Sequence, residues 1–209
     1  MTERNIPFRP IRDGLYTSDE LSAGFDPTEP DSLAEMADFR TFRYFVINGR
    51  ATPEHPYAGM MEALHDNSIL QAMVTFLRGR KRIAAIMGGH REIRGSANYR
   101  SIAILARRLS EAGFLMASGG GPGAMEATHL GALLKGEADA ALDEAIALLA
   151  TSATLPHDAA GVVRADGTVD FHIVRSLPHG RRLPTGLWVS YSTGGKALPC
   201  RPGTMGTSL

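Results

Sequence analysis

The sequence predicts an α/β protein, a doubly wound parallel sheet preceded by an N-terminal helical extension. Three observations carry this. Two short apolar runs, "IAAIM" from Ile83 and "FLMAS" from Phe114, each end in glycines. Each glycine turn leads into a stretch whose apolar residues recur at helical spacing. The order strand, glycine turn, helix occurs twice within roughly 50 residues, and such alternation builds a parallel sheet with right-handed crossovers.

In the first unit, "KRIAAIMGG" reads as a buried strand over Ile83 to Met87 that stops at Gly88 and Gly89. "SANYRSIAILARRLSEAG" then sets Ile102, Leu105, Ala106 and Leu109 on one helical face, and Gly113 is the left-handed residue that closes it. The second unit runs from the strand "FLMAS" through "GGGPG" into the helix "AMEATHLGALL". Beyond it, Ala138, Leu142, Ala145, Ile146 and Leu149 mark another amphipathic helix, and "VVRADGTVDF" has the Asp-Gly centre of a hairpin.

Residues 1–80 form the extension. "SAGFDPTEPDSLAEM" reads as loop and short helix, and "FRTFRYFVIN" is compatible with a strand or with an aromatic cap on the main domain. From Pro56 to Arg78, Met61, Leu64, Ile69, Ala72, Met73, Phe76 and Leu77 predict one or two amphipathic helices whose apolar face packs on the domain or on a second subunit. Residues 81–174 make the α/β domain, with a helical and hairpin insertion at about 136–174. Residues 175–209 differ in kind: five basic residues, no acidic one, six glycines and four prolines, with only "GLWVSY" fit to be a strand. Three readings of that tail stand: an irregular basic segment, a diverged return strand, and the product of a truncation or frame shift.

Composition limits the function classes. The 209-residue chain is 44% hydrophobic, enough for a sizeable core. Lysine plus arginine and aspartate plus glutamate both number 22, so no global field draws the chain to nucleic acid or to an anionic membrane, and neither is expected as a partner. The single cysteine, Cys200, excludes an internal disulfide framework and points to a reducing, cytoplasmic setting. The N-terminus has no apolar core of a secretory signal, and no window approaches the roughly 20 apolar residues of a membrane span.

Both glycine turns fall at the carboxyl ends of predicted strands, where doubly wound sheets bind ligands. A helix start there offers unpaired N–H groups and about half a positive charge, which favours phosphate. Gly119, Gly120, Gly121 and Gly123 would let a phosphate lie against bare backbone, with Pro122 stiffening the loop; a tight turn without a ligand is the alternative. "GGHREIRG" lacks G-x-G-x-x-G spacing, and no G-x-x-x-x-G-K-[ST] occurs, so neither a dinucleotide fingerprint nor a P-loop is present.

Residues around these turns are secondary candidates. Arg91, Arg94 and Arg100 carry forked donors suited to phosphate, or are simply solvated. His90 is either a ligand contact or a surface residue, and Tyr99 either stacks on a base or packs. His65, His129, His157, His172 and His179 show no zinc-binding spacing, so no metal is expected. Ser118 is not in a G-x-S-x-G elbow.

"SGGGPGAMEATHLGA" resembles the first signature of the LOG-type family, Rossmann-like proteins once described as lysine decarboxylases, many of which are nucleoside 5′-monophosphate phosphoribohydrolases. "IMGGHREIRGSANYRSIAILARRLSEAGF" resembles the family's opening unit, and the resemblance covers roughly residues 81 to 135. It implies a Rossmann-like nucleotide-binding domain in which Gly88 and Gly89 form the first nucleotide turn. Ser118, Gly119, Gly120, Gly121 and Gly123 cradle phosphate in that reading, with Met125 and Glu126 starting the helix behind them. The family's second signature, P-G-G-x-G-T-x-x-E, has its nearest counterpart in "PGTMGTSL", where Gly203, Gly206 and Thr207 match a second phosphate loop. Thr204 replaces the second glycine, and Leu209 comes before the glutamate position. The insertion at about 136–174 resembles that of larger members.

The resemblance therefore implies binding of a nucleoside 5′-monophosphate, with no cofactor, in a homodimer. In complete relatives it implies hydrolysis of the N-glycosidic bond to base and ribose 5-phosphate. Glu126 is the carboxylate of the clear motif and, with Arg100, the catalytic candidate in this chain. The competing reading is a nucleotide-binding sensor or remnant without turnover. A pyridoxal-dependent decarboxylase is weaker still, because Lys81, Lys135 and Lys196 sit in no cofactor setting.

Overall fold

The computed structural model describes residues 6–26, 28–48, 53, 55–153 and 161–172. The chain divides at Gly79 and Arg80 into two units; of the described residues, 161–172 belong with the first and 80–153 form the second. Gly203, Gly206, Thr207 and the segment "GLWVSY" lie outside the described residues.

The first unit is helical. Helix α1, Ser18–Ser22, starts at a capping box: Thr17 accepts from the Glu20 amide while the Glu20 carboxylate accepts from the Thr17 amide. A 3-10 turn, Pro30–Glu35, leads to α2, Ala37–Ile47. This is the stretch for which the sequence left a strand open, and tertiary packing decides it. Phe39, Phe42 and Val46, three and four residues apart, turn together into one core with Leu33 and Met36. Tyr44 packs with Phe8 and Ala58 in another. An alternating strand would have split these aromatics differently, so β propensity yields to burial.

Helix α3, Pro56–Leu77, is one continuous helix opened by Pro56. Its buried line is Ala58, Glu62, His65, Ile69 and Ala72. The apolar residues expected inside are shared between two faces, and Leu64 is 41% exposed. The face differs because the buried line includes polar side chains: His65 Nε2 lies 2.9 Å from the Tyr16 hydroxyl, and the imidazole packs edge-on to Phe8. Apolar periodicity does not register such positions.

The Asp-Gly hairpin forms as expected, with Val163 bridging Val169 and Gly167 at φ +82° in its turn. Its place differs from the expectation. Val162 and Val163 join the core built by Leu33, Met36, Phe39 and Val46, and Arg43 Nε donates to the Gly167 carbonyl at 2.6 Å. The sequence assigned this segment to an insertion in the α/β domain; a short hairpin buries its apolar face wherever a matching surface exists, and α2 supplies one.

The second unit is α/β. Strand β1, Ile83–Ile86, pairs in parallel with β2, Leu115–Ser118, in the register Ile83↔Leu115 to Ile86↔Ser118. Helix α4, Ala97–Glu111, joins them, capped by Ser96, whose Oγ accepts from the Tyr99 amide at 3.0 Å. Gly113 follows α4 at φ +83°, the left-handed closure the sequence predicts. Helices α5, Ala124–Leu133, and α6, Asp139–Ala150, complete the unit. Tyr99, Ala103, Ala127, Leu130, Leu142, Ile146 and Leu149 form its core. Small residues let α4 and α5 approach closely: a Cβ at Gly131 would collide with the Ala103 carbonyl. Among the described residues the sheet has two strands, and no helix is long and apolar enough to cross a membrane.

Candidate functional site

The parallel register brings the ends of β1 and β2 side by side, so both glycine turns leave the sheet at one edge. The turn after β1 carries Gly88 at φ +81° and Gly89 at φ +65°; the turn after β2 carries Gly120 at +69° and Gly123 at +74°. These are left-handed conformations that side chains resist, which accounts for glycine there without a ligand.

Backbone contacts tie the turns together. The Gly89 carbonyl accepts from the Glu92 amide at 3.0 Å and from the Ala124 amide at 3.1 Å, so one oxygen links the first turn to the start of α5. A Cβ at Gly123 would run into that same oxygen, and one at Gly89 would stand 2.5 Å from the Ala124 Cβ. Gly89 and Gly123 therefore serve the packing of one turn on the other. A Cβ at Gly121 would stand 2.6 Å from the mobile end of the Met125 side chain, which can shift. At Gly88 nothing lies within 4 Å. Gly88 is exposed with open space around it, and Gly119 and Gly121 are half-buried, with the Met125 side chain over Gly121.

Glu126 and Arg94 have a different place from the one the motif suggested. Glu126 is fully buried and Arg94 is 4% exposed. They form a bidentate pair, Nε to Oε2 at 2.8 Å and Nη2 to Oε1 at 2.9 Å. Arg94 Nη1 also donates to the Ser152 carbonyl at 2.7 Å, and its amide to that of Ala153 at 3.2 Å, which ties the end of α6 to the turn before α4. Burial pushes the Glu126 carboxyl upward against the opposing pull of Arg94. With both oxygens on Arg94 and no exposed surface, Glu126 holds the fold around α5 and does not reach a ribose outside it. Tyr99, fully buried beside this pair, packs and does not stack on a base; burial and then Glu126 push its phenol up.

Arg100, the second catalytic candidate, is bound to Asp143 on α6 through Nε at 2.6 Å and Nη2 at 2.9 Å. Its guanidinium is thus engaged away from the glycine turns. His90 and Arg91 are exposed on the first turn, next in sequence to Gly88 and Gly89. Between them and α4 stands Glu92, which accepts from Ser96 Oγ and from Asn98 Nδ2; these bonds hold its carboxyl below the usual range.

Ser118 is fully buried at the end of β2. Its Oγ accepts from the Gly120 amide at 3.3 Å, donates toward the Met125 carbonyl at 3.3 Å and lies 2.7 Å from His129 Nε2. The sequence singles out Ser118 through the family motif, yet His129 has no local spacing that reveals it, since the two meet only because α5 folds back along β2. Met125, half-buried, contributes its carbonyl to this contact and its side chain to the cover over Gly121. Among the described residues no group of three or more histidine, cysteine and acidic side chains is placed to hold a metal.

No family model, curated protein or solved structure matches the chain.

Proposed function

We propose that this chain binds a nucleoside 5′-monophosphate, with the phosphate at the paired glycine turns after β1 and β2. The observation that carries the reading is the register of Ile86 against Ser118, which sets two left-handed glycine turns and the start of α5 at one sheet edge. The exposed backbone of Gly88 and that of Gly119 and Gly121, the last with the Met125 side chain moved aside, would receive the phosphate; the α5 dipole would favour its charge, and Arg91 and His90 would supply donors from the rim. The doubly wound, Rossmann-like sheet belongs to this proposal; Ile83 in β1 is 40% exposed where the sequence expects a buried strand, whereas strands of such sheets are covered on both faces.

Binding without turnover is the form of the reading that the described residues favour. Hydrolysis of the N-glycosidic bond needs a carboxylate near the ribose, and Glu126 is buried on Arg94. The proposal extends to a cytoplasmic homodimer acting without a cofactor; sedimentation should then give twice the 22.4 kDa chain mass.

Titration calorimetry of the intact chain with AMP, GMP, CMP and UMP, followed by an assay for ribose 5-phosphate on the same samples, tests both parts. Binding without release is the expected outcome. Release of ribose 5-phosphate would make the protein a hydrolase with a carboxylate other than Glu126, and a folded chain that binds none of the four would overturn the reading.

A further inference from the structure

We infer that His129 is a positioning residue for the glycine turn after β2, acting through the Ser118 hydroxyl to fix the Gly120 amide and with it the loop that receives phosphate. The role in ligand binding rests on the reading above; the role in holding the loop does not.

A serine hydroxyl has one proton to give and two lone pairs to fill. At Ser118, the Gly120 amide fills one lone pair and the Met125 carbonyl takes the proton. His129 Nε2 stands 2.7 Å from the same oxygen, close enough for a neutral imidazole to donate an N–H to it or to accept its proton. Its surroundings favour the neutral form, because burial pulls the imidazole down to about 4.

The geometry of the chain makes this contact consequential. Ser118 ends β2, Gly120 lies in the turn at φ +69°, and Met125 and His129 are on α5. One hydroxyl therefore joins the strand, the turn and the helix around the five residues from Gly119 to Gly123. A glycine-rich loop has more conformations to lose than any other, so an anchor inside it decides how much of its bound shape exists beforehand. His129 sets the orientation of that anchor from behind the loop, without a place on the ligand side.

The test compares wild type with His129→Ala, His129→Gln and Ser118→Ala. Glutamine reaches about as far as Nε2 and offers an N–H. Amide exchange at Gly120, followed by NMR, reads the loop directly. Exchange at least tenfold faster is expected in His129→Ala and Ser118→Ala, with His129→Gln within threefold of wild type. AMP dissociation constants should follow the same order, tenfold weaker for His129→Ala and restored by glutamine, while adenosine affinity stays constant. Unchanged Gly120 exchange in His129→Ala overturns the inference. So does a glutamine variant as fast as alanine, because a side chain of similar size offering an N–H would then fail to restore the anchor. If wild type binds no AMP, the functional reading fails, and Gly120 exchange still judges the positioning role. Should His129→Ala not fold, His129→Leu takes its place: it keeps the volume and loses the hydrogen-bonding group, with the same expected and overturning results.

Discussion

The two glycine turns look alike in sequence, and across them the glycines are of two kinds, with Gly89 and Gly123 held by packing and Gly88 not. At the second, Gly123 is enforced from within: its φ is positive and a Cβ would meet the Gly89 carbonyl. At the first, Gly88 has a positive φ but open space around it. A glycine cluster is thus a mixture. Some members exist so that the protein can pack on itself, and only the remainder leave backbone free for something else. The same distinction separates two arginine–carboxylate pairs of the second unit: Arg94 with Glu126 is buried, and Arg100 with Asp143 is about half exposed.

The buried pair offers the largest contrast. Arg94→Met leaves the Glu126 carboxylate buried without its partner and should cost roughly 3–5 kcal/mol in chemical denaturation. Arg100→Met should leave the denaturation midpoint close to wild type, because solvent screens the exposed pair. Equal losses would erase the distinction between them.

Next come the glycines. Gly123→Ala should lose on the order of 3 kcal/mol, combining left-handed strain with the collision at Gly89. Gly88→Ala meets no neighbour and should cost about 1 kcal/mol from its conformation alone. Its effect belongs on the ligand side, with AMP affinity falling at least tenfold. A stable Gly123→Ala, or a Gly88→Ala with unchanged affinity, would break the comparison.

A pH series sharpens the role of His129. Its folded pKa of about 4 lies below the ordinary 6.5, so the unfolded chain binds the proton more readily. Stability from this residue is present above about pH 6.5 and is lost as pH falls toward 4, by no more than about 3 kcal/mol. The difference between wild type and His129→Gln should appear in that window and vanish as a slope above it. Parallel stability curves from pH 7 to 4 would contradict the shift.

The order of elements in the second unit was legible, because two apolar runs, two glycine turns and helical spacing mark β1, α4, β2, α5 and α6. The buried faces were less so: Leu105 of the expected α4 face is 50% exposed while Tyr99, Ala103 and Arg107 are buried, because small and polar side chains line the close contact with α5. Legibility failed where burial is polar or non-local. Helix α2 has strand-forming aromatics that the core recruits at helical spacing, and α3 buries Glu62 and His65, which no apolar pattern marks. The hairpin at Val163 was readable as a hairpin, while its docking on Phe39 and Val46 lay more than 100 residues away in sequence. In the candidate site, motif resemblance found the glycines and Ser118. It did not reveal that the Glu126 carboxylate belongs to Arg94, 32 residues earlier, or that Ser118 meets His129.

The most direct measurement is a pair of calorimetric titrations of the intact chain, one with AMP and one with adenosine, in the same buffer. Phosphate held at the glycine turns requires AMP to bind at least tenfold more tightly than adenosine. Equal affinities, or a folded chain that takes up neither, would contradict a phosphate site at Gly88, Gly119 and Gly121 and leave the glycines to packing alone.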